Sequence, residues 1–228
     1  MITSDQKDVL FREISSYIKD YKVKSLLDIG AGDGVLAKKL ANRVSQYFAI
    51  ESNKKRAKNF KALGLKVRCT RFPKKIGKRF DMVLASHSIP ENKKLYKTFL
   101  KTAWNSLNDK GVLLIITFKG QHGELRNLRN KWRSGKDLKS NDEKLYRVML
   151  NILNIYGKVK IHRAVSRFQS ENIDEIINLA LKSIGPKKSN KEACIKFLKK
   201  LLKTKYFSNG VYFFPHEHIF VSVLKHKQ

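Results

Sequence analysis

Cysteine, acid and long apolar runs are what this chain lacks. Its two cysteines, Cys69 and Cys194, stand far apart, with no CxxC spacing and no histidine beside them. They make neither a disulfide framework nor a zinc signature, so a reducing, cytoplasmic compartment is expected. The longest apolar run, Val112 to Phe118, is far too short to cross a bilayer. The first 25 residues carry acids and no apolar stretch of the signal-peptide kind. Acids number 19 against 49 lysines and arginines, a formal net charge of +30. No internal repeat or low-complexity linker divides the 228 residues, and 42% hydrophobic content suffices for a sizeable core. A single domain over 1–228 is expected.

What is present begins with Leu26-Leu27-Asp28-Ile29-Gly30-Ala31-Gly32-Asp33-Gly34. Leu26, Leu27 and Ile29 read as a short buried strand. Three alternating glycines then give a turn where backbone can press against a ligand with no Cβ in the way. Val35 to Leu40 follows as a helix, which places its N-terminus at that turn. A nucleotide-like ligand at the carboxyl end of the first strand is the natural reading. The dinucleotide fingerprint G-x-G-x-x-G does not fit, because its third glycine would fall on Val35.

The pattern that stands here, D-x-G-x-G-x-G, resembles the first motif of the class I S-adenosylmethionine (SAM) methyltransferases. In that family an acid closing the second strand binds the ribose hydroxyls. Tyr47-Phe48-Ala49-Ile50-Glu51 is a β-branched and aromatic run ending in an acid, 17 residues past Gly34. The resemblance continues in Phe80-Asp81-Met82-Val83, which fits the family's F-D-x-V fourth strand, and in Asp109-Lys110-Gly111-Val112, a shortened form of the turn before the fifth. It covers about residues 20 to 120. It implies a Rossmann-like, doubly wound α/β fold with a mostly parallel seven-stranded sheet and an antiparallel last strand. It implies SAM held by Asp28, Gly30, Ala31, Gly32, Asp33, Gly34, Glu51, Ser52, Thr70 and Ser86, with no metal. One departure is the run Cys69-Thr70-Arg71-Phe72, where many members carry an acid near the adenine.

Strand and helix alternate through the first two-thirds, as a doubly wound sheet requires. Asp8 to Lys19 has a helical apolar period. Asn53 to Leu63 reads as a basic helix, Leu65 to Cys69 as a strand, and Phe80 to Ala85 as the fourth strand. Lys94 to Leu107 reads as a helix closed by Asn108-Asp109-Lys110-Gly111. Val112 to Phe118 is continuous in hydrophobicity, as a central parallel strand should be. Gln121 to Ser140 reads as an exposed excursion containing Gly123 and Gly135, just past Gly120. Leu145 to Ile155, Asn172 to Ile184 and Lys191 to Lys203 read as helices, with Val159 to Val165 and Ile219 to Leu224 as strands. The core is expected over about 20–165 plus 217–225, with a helical insertion over about 170–205. By the resemblance, that insertion caps the acceptor pocket.

The chemistry follows from the resemblance. A sulfonium methyl moves by in-line displacement to a nucleophile, and much of the catalysis is alignment. The loop Ser86-His87-Ser88-Ile89-Pro90 would face that methyl, and His87 is its one titratable side chain. His87 is therefore the candidate base or acceptor-orienting group; the alternative is that it packs beside the cofactor without proton work. The loop is not the Asn/Asp-Pro-Pro-Tyr/Phe signature of exocyclic-amine methylation, and neither cysteine stands where cytosine C5 methylation would need one. Lys119 could mimic one lysine of the ribose-methylating Lys-Asp-Lys-Glu set, but Ser86 or His87 holds the aspartate position. Pro215-His216-Glu217-His218 puts two histidines on one strand face with no third ligand, and reads as a strand entry near the pocket rim.

Charge leaves two readings open. Lys54–Lys61, Arg71–Arg79 and Lys182–Lys205 are almost pure base, and Arg126, Arg129, Lys131, Trp132 and Arg133 form a basic segment bearing an aromatic. Such surfaces attract RNA through counterion release. Alternatively, lysine outnumbering arginine about threefold reflects a proteome-wide bias. A small-molecule acceptor, an anionic one included, is expected. RNA, or a catalytically silent SAM- or nucleic-acid-binding protein of this fold, is the alternative. The Lys191–Lys203 helix also suits an anionic lipid surface, though its apolar face fits packing on the sheet better. Nothing implies stable membrane insertion, and no feature fixes an oligomeric state.

Overall fold

The computed structural model describes residues 1–74, 76–90, 92–118, 124–132 and 136–226. In chain order its elements are β1 (Thr3–Ser4), α1 (Gln6–Asp20), β2 (Ser25–Ile29), α2 (Val35–Ala41), β3 (Gln46–Glu51), α3 (Lys54–Ala62), β4 (Val67–Cys69) and β5 (Phe80–Ser86). Then follow α4 (Lys93–Asn105), β6 (Leu107–Thr117), α5 (Glu124–Trp132), α6 (Lys136–Tyr156), β7 (Val159–Ser170), α7 (Ile173–Ile184), α8 (Lys191–Lys205), β8 (Phe207–Ser208) and β9 (Val211–Leu224).

One nine-stranded sheet runs β1-β7-β9-β6-β5-β2-β3-β4, with β8 paired to β9. The pairs among β4, β3, β2, β5 and β6 are parallel. β9 is antiparallel to both β6 and β7, so β7 runs with the parallel set. The expected seven strands with an antiparallel last strand are all there; β1 and β8 are two-residue additions on the hairpin of β7 and β9.

Alternate side chains of the central strands face two helical layers. Leu26, Met82, Leu84, Leu114 and Phe220 pack against Leu10, Ile14 and Ile18 of α1 and Leu40 of α2. Leu27, Val83, Leu113, Ile115 and Val221 pack against Phe99 and Leu100 of α4 and Met149 and Leu153 of α6. Burial on both faces explains why these strands read as continuous apolar runs. No helix among the described residues is long and apolar enough to cross a membrane.

The hairpin outgrows the sheet. β7 pairs with β9 from Val159↔Val223 to Ser170↔Tyr212, whereas β6 reaches only Ile219 to Leu224 of β9. Residues 211–218 of β9 and their partners therefore overhang the carboxyl edge. Around the overhang a third apolar cluster forms from Leu125 and Leu128 of α5, Ile176 and Ala180 of α7, Leu198 and Leu202 of α8, and Phe214.

Several boundaries move. The exposed excursion contains α5, with Leu125 and Leu128 buried, and α6 begins at Lys136. Lys119, Gly120, Gly123, Arg133 and Gly135 lie outside the described residues. The turn expected at Asn108–Gly111 lies inside β6, where the register slips between Phe80↔Leu107 and Met82↔Val112. Lys110 is left-handed at φ 62°, and a Cβ on Gly111 would sit 2.9 Å from the Asn108 carbonyl.

Asp81 ties three strand starts together. Its carboxylate accepts from the Lys24 and Ser25 amides, the Ser25 hydroxyl and the Asn108 amide, at 2.9–3.0 Å. Partial burial raises its pKa, but the hydrogen bonds from Asn108 and Ser25 outweigh this and leave it below the usual carboxylate value. Asp81→Ala is expected to destabilise the fold by about 2–3 kcal/mol, measured as a lowered urea midpoint. The deficit should shrink once pH falls below the carboxylate range, where the parent's Asp81 is itself protonated.

Candidate functional site

The glycine turn joins β2 to α2, and all three of its glycines are left-handed, at φ 73°, 71° and 87° for Gly30, Gly32 and Gly34. Each has its own reason. A Cβ on Gly30 would fall 2.4 Å from Ser88 Cβ, so the loop after β5 is seated directly against the turn. A Cβ on Gly34 would meet Leu63 at 2.9 Å, and Gly34 is the residue from which α2 starts. Around Gly32 nothing lies within 4 Å: the backbone faces open space. The Gly30 and Ala31 amides donate to the Ile50 carbonyl, which locks the turn to the end of β3.

Glu51, buried at that end, accepts from the Gly32 amide at 2.9 Å through one oxygen and from the Asn53 amide at 2.8 Å through the other. A carboxylate offers about four lone-pair positions, so acceptor capacity remains for a ligand's hydroxyls. Beside it opens a cleft of about 310 Å³, lined among others by Ile29, Gly30, Ile50, Ser52, Thr70 and Phe72, and closed by Ser88, Pro90, Leu95 and Phe99. Apolar walls with a few hydroxyls and a pinned carboxylate suit a flat heterocycle joined to a sugar.

Asp28 is buried on β2, where the Tyr47 hydroxyl donates to it at 2.6 Å. Burial pushes its carboxyl up to about 6, with Tyr47 opposing and Glu51 reinforcing the shift. Asp33 is exposed. It accepts from the Val35 amide and from the Lys7 ammonium; burial raises its pKa, but these donors together outweigh it and leave the carboxyl below the usual value. Ser86 closes β5.

His87 does not line the cleft. It follows β5 in a left-handed conformation at φ 53° and stacks on Phe118 with ring centroids 3.7 Å apart. On its other face Phe118 stacks on His216 at 4.1 Å, so three rings lie nearly parallel. His87 Nε2 lies 3.3 Å from His218 Nδ1, and His218 Nε2 lies 2.7 Å from the Ser166 hydroxyl. Nδ1 of His87 and Nδ1 of His216 are buried, with no hydrogen-bond partner among the described residues. Burial holds His87 down to about 3, with His218 and His216 adding to it. Burial also lowers His216 to about 4, helped by Arg129, and His218 to about 4, helped by His216. All three are neutral at physiological pH.

Of the expected cofactor residues, Gly30, Ser52 and Thr70 line the cleft. Glu51 lies next to it, bonded to Gly32. Asp28, Ala31, Asp33, Gly34 and Ser86 are not among its lining residues, and His87 lies beyond it, next to the overhanging hairpin. His216 and His218 lie well inside β9 rather than at a strand entry, on one face with Ser166 opposite. No group of three or more His, Cys, Asp or Glu residues among those described could hold a metal ion. Ser88, Phe118 and Ser166 carry no sequence signal of their own. Only the i, i+2 spacing of the two histidines hinted at this wall.

The comparisons agree with the geometry. A family model described as a methyltransferase domain matches residues 4–175. No curated protein matches the chain in sequence. Among solved structures the chain is similar to the YcgJ protein of Bacillus subtilis, at 14% identity and a TM-score of 0.58, covering 95% of this chain and 99% of that one. It is similar to the N-methyltransferase NodS of Bradyrhizobium japonicum, at 12% identity and a TM-score of 0.52, covering 97% and 99%. A third is the plantazolicin methyltransferase BamL, solved with a triazolic desmethylPZN analog and SAH, at 15% identity and a TM-score of 0.56, covering 98% and 85%. At these identities the likeness is one of fold.

The histidine wall makes stability depend on pH. A histidine's ordinary value near 6.5 applies in the unfolded chain, whereas the folded values are about 3 and 4. The unfolded state therefore takes up protons first, and stability is lost as pH falls from 6.5 toward 4, by about 1.4 kcal/mol per pH unit for each group. Asp28 acts oppositely, its contribution fading as pH rises from 3.8 to about 6. Against the parent, His216→Phe should therefore gain about 1–2 kcal/mol at pH 4.5 relative to pH 7.5, after a discount for its partly exposed edge. Urea unfolding at the two pH values measures it.

Proposed function

The chain belongs to the methyltransferase domain family, and on that premise we propose that it transfers the methyl group of S-adenosyl-L-methionine to an oxygen or nitrogen of a small molecule in the cytoplasm. Glu51 holds the ribose hydroxyls with its remaining lone pairs. The walls of Ile50 and Phe72 take the adenine, with Ser52 and Thr70 at its polar edges. The open face of Gly32 passes the chain from ribose to sulfur. Bound there, the cofactor would supply a sulfonium-activated methyl group and would leave as the neutral thioether S-adenosylhomocysteine. The acceptor's proton leaves to water, because His87 keeps a proton only near pH 3. His87 serves instead as a neutral ring that helps orient the acceptor.

The observation that carries the small-molecule reading is the apolar cluster at the hairpin overhang. α5, α7 and α8 bury their apolar sides around Phe214 of the overhang, and the stacked rings of His87, Phe118 and His216 lie where β9 passes beyond β6. Apolar helix faces and stacked rings suit a small acceptor better than a phosphate backbone. The lysines of α8 point elsewhere: Lys196, Lys199, Lys200 and Lys203 are exposed to solvent.

Calorimetric titration with SAM and then S-adenosylhomocysteine tests the cofactor site. Micromolar binding is expected, and Gly32→Leu should abolish it by filling the space at that turn; unchanged affinity in the variant would remove the site. His87→Ala should keep SAM affinity and lose most turnover. In the parent, kcat/KM should show no histidine inflection between pH 5 and 8. Titration with total RNA separates the other readings: tight, weakly salt-dependent binding would make RNA the acceptor, and weak, steeply salt-dependent binding would leave it a bystander of the charge.

A further inference from the structure

The amino edge of the sheet holds a second cavity, which neither the cofactor cleft nor the histidine wall uses. It measures about 580 Å³ and lies where α1 ends, where β2 is about to begin, and where the turn after α2 passes. β2 runs from this cavity to the glycine turn, so about 16 Å of strand separates the two sites. The volume falls in the range of small-ligand pockets.

Four cations line it, Arg12, Lys19, Lys22 and Arg43, and no acid does. Glu13 offsets Arg12 at 3.1 Å. Asp20, the last residue of α1, accepts from the Ser16 hydroxyl and does not line the cavity. Lys19, Lys22 and Arg43 make no ion pair among the described residues. Two helix ends point here, and cations complement such ends, but each end carries only about half a negative charge. The two together offset about one of the three cations, so a positive surplus remains for a ligand.

Two of these side chains are placed rather than merely present. The Arg43 guanidinium lies over the Phe11 ring at 5.2 Å, which holds its planar fork in position to grip an oxyanion. Lys22 stands where α1 closes: its amide donates to the Lys19 carbonyl and the Val23 amide to the Ile18 carbonyl. That closure needs a left-handed residue and usually takes glycine, yet Lys22 adopts it at φ 51°. Ile18 and Val23, both buried, add an apolar surface inside the ring of charge. A bare inorganic ion would leave that surface unused, whereas a ribose or base would cover it.

We propose that this cavity binds phosphate groups in series, those of a nucleoside polyphosphate or of an RNA strand. Two guanidinium forks and two ammonium groups match several phosphate oxygens at once, and the distance from the glycine turn makes this a site separate from the cofactor's.

Calorimetric titration of the full chain with sodium tripolyphosphate at near-physiological salt tests this. Saturable binding is expected, unchanged by saturating S-adenosylhomocysteine. Lys22→Gly removes the ammonium and suits the left-handed backbone, so its urea midpoint should equal or exceed the parent's while affinity falls about tenfold. Arg43→Gln should lose about as much. Lys203→Gln, which removes one charge from exposed α8, should leave the affinity nearly unchanged. A short single-stranded RNA then identifies the source. Displacement of tripolyphosphate assigns the site to RNA, and failure to displace it assigns the site to a soluble nucleotide. Absence of saturable binding in the parent, an equal loss in Lys203→Gln, or displacement by S-adenosylhomocysteine overturns the proposal. The readout is anion binding alone, so it stands or falls apart from the methyl-transfer reading.

Discussion

A carboxylate at the edge of a sheet must find donors, and the site of this protein depends on how Glu51 finds them. Its oxygens take the amides of Gly32 and Asn53, one from the turn after β2 and one from the turn after β3. Two loops that would otherwise drift are thereby fixed against each other. The fixing works only because Gly32 can be left-handed at φ 71°, so that its amide points at the acid and its other face stays empty. Once the turn is held, Gly30 presses on Ser88, and the loop after β5 is held as well. The left-handed backbone of His87 follows immediately. One ion's need for hydrogen bonds thus orders the cleft and, through Ser88, the wall beyond it.

The second organising constraint is the length mismatch between β9 and β6. Pairing with β7 continues for seven residues after β6 has stopped. Those residues leave the sheet's core but cannot stay bare, since their edge and faces would be exposed apolar ribbon. α5, α7 and α8 cover them, and the same overhang carries His216 and His218 over the carboxyl edge, where the turn residues converge. Pro215 fits here for a simple reason. At that point β9 has no neighbour on the β6 side, so its missing N–H costs no ladder bond.

The parallel centre of the fold was legible because burial on both faces writes itself as uninterrupted Leu, Ile and Val. The glycine turn was legible for a different reason: positive φ demands glycine, and a fixed strand length sets Glu51 at its distance. Where the reading missed, the local signal pointed elsewhere. Asn108–Gly111 looks like a helix-ending turn, but it is a bulge inside β6, where Lys110 takes a left-handed conformation. α5 buries only Leu125 and Leu128, too few apolar positions to outweigh the charges around them. Pro215 shortened the expected last strand from the inside. Asp81 was matched as a motif letter, whereas its carboxylate proves to join the starts of β2, β5 and β6. The histidine wall was barely legible, because Ser166, Phe118 and His218 meet only through the hairpin's register.

Net charge and site chemistry bear on each other. A chain at +30 carries a positive potential over much of its surface, and every added proton meets repulsion from the rest. Histidines inside such a molecule are driven toward neutrality twice, by desolvation and by their charged surroundings; Arg129 beside His216 is the local instance. A mechanism that stored a proton on imidazole would work against both effects. One that leaves the rings neutral works with them. Positive charge outside and neutral rings within are therefore compatible, since each favours the uncharged imidazole.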